Sequence, residues 1–307
     1  MEIVREVEKV SDKYPNVVLT IGNFDGLHLG HQVLINRVIK RAIELSGTSA
    51  LITFEPHPLK VLAPEKCPLF LNTFQEKVQM LEIMGLNLLI CLDFTTEFAH
   101  ITSRDFVEEV LVSKLKTKEV FVGHDFRFGQ GREGTVDFFK KLGEELGFRA
   151  IEVQAIKVDN FTVSSTTLRT LVSQGEVEKA AKLLGRPYSI AGKVVSGEAR
   201  GRKLGFPTAN IQPVHELIPS NGVYAVRAEW QGRIYPGVAN LGFRPTFKHN
   251  QLSIEVHLFD FSGDLYDQEL KVYFIEKLRD EKTFRGVEEL IAEINKDVAR
   301  ARKILSV

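Results

Sequence analysis

The chain has 307 residues, enough for two domains of ordinary size, each with its own core. Hydrophobic residues make up 44% and charged residues 26%, and 40 basic side chains balance 40 acidic ones. That balance excludes a disordered chain and an overall basic field suited to nucleic acid or an anionic membrane. Two cysteines, Cys67 and Cys91, are too few for a disulfide framework and do not form a metal-ligand pair. Cys91, inside the apolar run NLLICLDF, reads as a buried strand residue. The first residues carry acids throughout and lack the apolar stretch of a signal peptide, and no segment reaches the roughly 20 apolar residues of a membrane span. A cytoplasmic protein is the expectation.

In chain order, residues 17–21 predict a buried strand stopped by Gly22, and Val33, Leu34, Ile35, Val38, Ile39 and Ala42 carry helical spacing. Residues 50–54 predict the next strand, halted by Pro56 and Pro58. Thr73 with Glu76 is a capping-box signature ahead of Val78, Met80 and Leu81. Strands follow at 88–92 and 120–123 with a helix near 106–115 between them. A helix over 136–146, a strand near 151–153 and two short helices after Ser164 complete this half. Strands alternating with helices predict a Rossmann-like α/β domain, its parallel sheet covered on both faces. Ligands of such sheets lie beyond the carboxyl ends of the strands.

After Gly185-Arg186-Pro187 the texture changes to β-rich runs at 188–195, 222–230, 234–238, 252–259 and 270–275. Glycine, proline and asparagine punctuate them, which predicts an antiparallel sheet or small barrel. Val287, Leu290, Ile291, Ile294, Val298, Ala301, Ile304 and Leu305 then form the apolar stripe of a closing helix. That helix has two places to go, the barrel's side or the first domain. The expected domains are 1–185 and 186–307.

The first constellation is Gly22-Asn23-Phe24-Asp25-Gly26-Leu27-His28-Leu29-Gly30-His31, between a strand and a helix. Backbone N–H groups and the helix dipole favour a phosphate there, and Gly22 and Gly26 let the backbone approach it. His28 and His31 can aim at one anion and donate to triphosphate oxygens as charge develops. The ordinary alternative is a glycine turn with surface histidines, and a zinc site fails for want of a third ligand. Phe54-Glu55-Pro56-His57-Pro58 brings His57 out of a strand on a stiff turn, and Gly123 leads to Asp125 and Arg127 after another strand. Asp125 suits an adenine amino group or ribose hydroxyl, and Arg127 a phosphate. Ser164-Ser165-Thr166-Thr167-Leu168-Arg169 reads as a helix start: plain capping explains its hydroxyls, and Arg169 adds an anion-binding charge.

The second constellation runs from Gly197 through Arg200, Gly201, Arg202, Lys203 and Gly205 to Phe206-Pro207-Thr208-Ala209-Asn210. Glycines amid basic residues suit a loop closing over phosphates. Thr208 and Asn210 then present oxygens on one side of an extended chain, where a hard Mg²⁺ beside ATP phosphates would accept them. Asn240 opens a second polar turn ending at Thr246, and Glu255 follows between Ile254 and Val256. By periodicity Glu255 and His257 share a face. They are either solvent-facing or, for Glu255, a base for an attacking hydroxyl.

Taken in order, Gly-x-Phe-Asp-Gly-x-His-x-Gly-His, Phe-x-Pro-His-Pro, Gly-x-Asp-Phe-x-Phe-Gly and Ser-Ser-Thr-x-x-Arg resemble the adenylyltransferase half of the bacterial bifunctional riboflavin kinase/FAD synthetase family. Gly-Arg-x-Leu-Gly-Phe-Pro-Thr-Ala-Asn, Asn-x-Gly-x-x-Pro-Thr, Glu-Val-His-Leu and Leu-Arg-Asp-Glu-x-x-Phe are similar to its kinase half, and the likeness runs from about residue 17 to 300. The resemblance implies that His28, His31 and Asn23 meet the ATP phosphates, with His57, Asp125, Ser164, Thr166 and Arg169 completing the nucleotide and FMN pocket. It implies a six-stranded β-barrel kinase with Thr208 and Asn210 at Mg-ATP, Glu255 as catalytic base, and Arg279 and Asn240 near the flavin. ATP, riboflavin, FMN and FAD are the implied partners, with Mg²⁺ as cofactor and no tightly bound transition metal. Two other readings stay open: a different adenylyltransferase, which leaves the second half unused, and a non-catalytic flavin binder.

Overall fold

The computed structural model of the chain describes residues 1–10, 13–197, 200–245 and 250–307. Glu198 and Ala199 of the glycine loop and Thr246 of the second polar turn lie outside these residues. Two compact units divide the chain, Met1–Pro68 with Phe74–Val163 and Leu69–Thr73 with Ser164–Val307.

The first unit holds six parallel strands: β1 (Glu2–Val4), β2 (Val18–Ile21), β3 (Ser49–Glu55), β4 (Leu88–Asp93), β5 (Glu119–Gly123) and β6 (Arg149–Val153). They lie in the order β1-β4-β3-β2-β5-β6. Helices α1 (Leu29–Glu44), α2 (Pro58–Leu62), α3 (Phe74–Ile83), α4 (Thr96–Ala99), α5 (Ser103–Asp105, continued as a π-helix over Phe106–Lys114) and α6 (Val136–Leu146) connect them. Successive strand residues bury on opposite faces. Leu19, Ile52, Val120 and Val122 join one core, and Val18, Leu51, Leu89 and Phe121 join the other. A sheet buried on both sides needs continuous apolar strands rather than alternation, which is why runs such as 17–21 and 50–54 are legible. Cys91 is fully buried in β4. The edge strand β1 was not predicted: three residues paired only to β4 carry too little pattern.

A small hairpin, β7 (Lys157–Val158) with β8 (Phe161–Thr162), leads to the second unit. Its helices α7 (Ser165–Ser173) and α8 (Val177–Leu184) precede β9 (Tyr188–Val195), the short α9 (Arg200–Lys203), β10 (Ala209–Pro213), β11 (Gly222–Trp230), β12 (Arg233–Pro245), β13 (Asn250–Leu258), β14 (Glu269–Arg279) and α10 (Val287–Leu305). The six strands β9 to β14 close into an antiparallel barrel ordered β10-β13-β12-β11-β14-β9. Closure removes the unpaired edges an open sheet would expose. The barrel's inner residues, such as Tyr224, Val226, Val272 and Phe274, are fully buried. α10 covers the barrel's side: its Ala301 and Leu305 pack with Val223, Ala225 and Val238.

Apart from Leu69–Thr73, this compact unit runs from Ser164 and so takes in two helices ahead of the change in texture at Pro187. The physical reason is α8, whose Val177, Ala180, Leu183 and Leu184 are buried and which packs on β9 and β14.

Candidate active sites

In the first unit, β2 is the central strand from which the chain moves outward through β3 and β4 and then returns to open the other side with β5. The crevice where an α/β sheet reverses direction is where its ligands bind. The Gly22–His31 turn leaves β2 at that point, and the Gly123–Gly129 loop leaves β5 beside it. The turn is tightly wound: Phe24, Gly26 and Leu27 have φ of 50°, 82° and 40°. For Phe24 and Leu27 this backbone is disfavoured and persists because both side chains are buried.

His28 is the N-cap of α1, its Nδ1 accepting the backbone N–H of His31 at 3.2 Å. An imidazole that accepts through Nδ1 carries its proton, when neutral, on Nε2. His28 is therefore a donor at its other nitrogen. The His31 ring stacks on it with centroids 3.6 Å apart and planes 17° from parallel. Burial first, then the positive charge that a protonated His28 would place beside it and that of Lys77, hold His31 well below the ordinary value of 6.5, so it is neutral at pH 7. A side chain at Gly30 would press on the His28 ring at 3.1 Å.

His57 repeats the device as N-cap of α2, its Nδ1 accepting from Leu59 N at 3.1 Å. Its Nε2 lies 2.9 Å from the Asn23 side-chain amide. With Nδ1 spent as acceptor, Nε2–H must donate, so the amide turns its oxygen to His57. The other end of the amide, placed in the structure as a buried oxygen with no partner among the described residues, is then an NH₂. Asp25 is buried, not exposed to solvent as a turn aspartate would be.

Beyond β5, Phe126 and Phe128 stack at 5.3 Å and pack on Phe139, so the loop's aromatics belong to the core. Asp125 and Arg127 are left exposed after Gly123. Ser103 pins the loop: its Oγ donates to Phe128 O, and a side chain at Gly129 (φ 73°) would overlap it. Ser164, Ser165, Thr166 and Arg169 belong to the second compact unit. Ser164 caps α7, accepting from Thr167 N at 3.1 Å, and Arg169 Nε donates to Leu69 O at 2.9 Å.

In the barrel, strand register assembles the second constellation. Arg279 pairs with Val223, Val223 with Asn240, Asn240 with Glu255, and Glu255 with Asn210. Residues opposite one another on neighbouring strands share a face, so one rung carries four of the predicted side chains. Glu255 alternates with the buried Ile254 and Val256 and so projects from the face opposite the barrel's packed interior. Each of its oxygens accepts one hydroxyl, Thr208 Oγ1 on Oε2 and Ser253 Oγ on Oε1, both at 3.3 Å. His257 Nδ1 donates to Pro207 O at 2.8 Å and fastens the exit of the glycine loop to β13. A side chain at Gly197 would overlap the Asn210 amide, and one at Gly201 would overlap Phe206 O. Gly205 turns the chain at φ 87°. Arg202 is exposed, and Lys203 ends α9. Hydroxyl, amide and carboxylate oxygens are a hard donor set that fits Mg²⁺.

A family model described as FAD synthetase matches residues 10–167, and one described as riboflavin kinase matches residues 184–305. The chain is 39% identical to the bifunctional riboflavin kinase/FMN adenylyltransferase of Pseudomonas fluorescens, over 99% of this chain and 98% of that one. It is 37% identical to the enzyme of the same name from Escherichia coli (strain K12), over 99% and 97%. The chain belongs to the bifunctional riboflavin kinase/FMN adenylyltransferase family. A crystal structure described as a macrolide-efflux protein from Streptococcus pneumoniae matches it with a TM-score of 0.88 at 30% identity, covering 96% of each chain. That description names another activity; the shared fold agrees with both family models, and among the described residues no helix is long and apolar enough to cross a membrane.

Three residues of this family member escaped the sequence reading. Ser253 gave no signal beyond alternation on its strand. Lys77 hid inside an amphipathic helix, and Asp297 interrupts the apolar stripe of α10, which was the one visible clue. Asp297 is buried and accepts from Arg279 Nε at 3.1 Å and Nη2 at 2.8 Å, while Arg279 Nη1 donates to Asp280 O. Arg279 is thus held by α10 and lies over the Phe284 ring. Asp297→Ala takes the nearer carboxylate from a largely buried guanidinium, leaving Glu293 at 3.9 Å, and should destabilise the barrel unit by about 3 kcal/mol, read from urea unfolding. An unchanged midpoint would show the pair to be solvated and dispensable.

Proposed function

We propose that the barrel transfers the γ-phosphoryl group of ATP to the ribityl 5′-hydroxyl of riboflavin, giving FMN and ADP. The parallel-sheet unit then carries the adenylyl group of a second ATP to FMN, giving FAD and pyrophosphate. One observation carries the reading: the two family models tile the chain without overlap, each over one constellation.

In the kinase reaction Glu255 takes the proton of the attacking hydroxyl, and Thr208 and Ser253 orient its carboxylate. A Thr208 hydroxyl that donates to Glu255 keeps its lone pairs for a cation. Mg²⁺ arriving with ATP would rest on Thr208 and Asn210 and neutralise phosphate charge, which together with positioning is most of what phosphoryl transfer asks of a protein. The loop bearing Gly197, Gly201, Arg202, Lys203 and Gly205 covers the phosphates, and Asn240 and Arg279 hold the flavin.

In the adenylyl reaction the FMN phosphate is already ionised and attacks the α-phosphorus without a general base. The remaining task is the departing pyrophosphate. His28 Nε2–H and the Asn23 side-chain amide supply donors for it, and neutral His31 supports the His28 ring. His57 orients Asn23, while Asp125 and Arg127 receive the nucleotide.

Incubation with riboflavin, Mg²⁺ and ATP, followed by chromatography, should give FMN first and FAD later, with ADP and pyrophosphate as coproducts. ATP consumption without either flavin nucleotide would sink the reading. FMN with no FAD would confine it to the barrel.

A further inference from the structure

We propose that Lys77 is a positioning residue for adenylyl transfer: from α3 it fixes one peptide of the phosphate-side turn and sets a buried positive charge behind the histidine pair. The proposal rests on the reading of that turn given above.

Lys77 Nζ donates to the backbone oxygen of Asn23 at 2.8 Å, and Thr53 Oγ1 donates to the same oxygen at 3.4 Å. In a trans peptide the C=O and the following N–H point in opposite directions. Pinning the Asn23 oxygen therefore turns the Phe24 N–H away from Lys77. A peptide turned the other way would present an oxygen where an anion needs a donor. The pinned peptide ends at Phe24, whose φ of 50° needs support from its surroundings. One lysine thus acts on the two residues that carry the Asn23 amide and the edge of the His31 ring, since Phe24 meets His31 with centroids 5.0 Å apart.

The charge matters as well as the hydrogen bond. Lys77 is largely buried on a helix whose neighbouring Val78 and Leu81 pack into the core. Packing alone would be served better by methionine, because an ammonium loses its hydration there. Burial lowers the Lys77 pKa, and the charges of Asp25 and Glu55 oppose that effect. The same positive charge acts on His31 and helps to keep it neutral. A fold-only role needs the hydrogen bond to Asn23; a role in the reaction also needs the charge to be felt by the triphosphate.

Lys77→Met and Lys77→Arg in the full chain separate these roles. In Lys77→Met the kcat of FMN adenylylation should fall about tenfold or more, while riboflavin phosphorylation in the same protein stays within about twofold and serves as the folding control for the barrel. Affinity for inorganic pyrophosphate should fall with it, and affinity for adenosine should not. Lys77→Arg, which keeps the charge, should recover most of the loss. Wild-type kcat and KM for ATP in Lys77→Met would overturn the proposal. So would equal loss of adenosine and pyrophosphate binding, or melting of the first unit in both variants alike, since the lysine would then serve the fold alone. His28→Ala run alongside distinguishes the two levels: retained FAD formation there removes the site itself and this proposal with it.

Discussion

Glu255→Ala should abolish FMN formation from riboflavin while FAD formation from supplied FMN continues at the wild-type rate. The carboxylate stands on a barrel rung between Asn210 and Asn240 and has a hydroxyl on each oxygen. General-base assistance is worth about 10²- to 10⁴-fold in rate, and that is the expected loss in kcat. Truncation also releases Thr208 and Ser253, so the alanine variant alone would mix lost chemistry with lost orientation. Glu255→Gln resolves this, because its amide oxygen still accepts a hydroxyl but takes no proton at neutral pH. The glutamine variant should be nearly as inactive as alanine, with its KM for riboflavin close to wild type. Substantial kinase activity in Glu255→Gln would show that the hydroxyl needs no carboxylate base.

His28→Ala should do the reverse, stopping FAD formation and sparing FMN formation. Removing one preorganised donor from a developing charge costs about 10²- to 10³-fold. His28 is also a helix cap, and losing a cap costs about 1 kcal/mol, so a weaker fold must be separated from a weaker reaction. His28→Asn does so. Asparagine is a good N-cap but cannot present a donor where imidazole Nε2 stands, so this variant should melt like the wild type and still fail to make FAD. If His28→Asn turned over FMN normally, the phosphate role of the ring would be lost. If either His28 or Glu255 variants stopped both steps in folded protein, the assignment of separate sites would be wrong.

Much of this architecture was legible because its physics is local. Strands buried on both faces announce themselves as apolar runs, and the helix over 136–146 matches α6. The barrel strands at 188–195 and 222–230 coincide with β9 and β11, because alternation and turn residues bound them. The histidine pair, His57 and the Thr208–Asn210 segment were visible as short motifs. What remained hidden depends on register and on distance along the chain. Nothing near Glu255 in sequence reveals Asn210, Asn240 and Arg279 as its neighbours around the barrel; only strand pairing does. Periodicity left Glu255 undecided between solvent and chemistry because an outward-facing strand residue looks the same in both cases. Asp25 was visible only as a member of the Gly22–His31 motif; its burial, and the charge of Lys77 more than 50 residues later, are features of the fold that the motif does not announce.

The packing of α8 on β9 and β14 bears on anyone wishing to express the kinase as a freestanding fragment. Cutting at the visible change in sequence character would strip Val177, Ala180, Leu183 and Leu184 from the wall they cover and leave a greasy strip facing water. Such a truncate would be prone to self-association however sound its catalytic groups. Starting the fragment at Ser164 keeps the wall roofed.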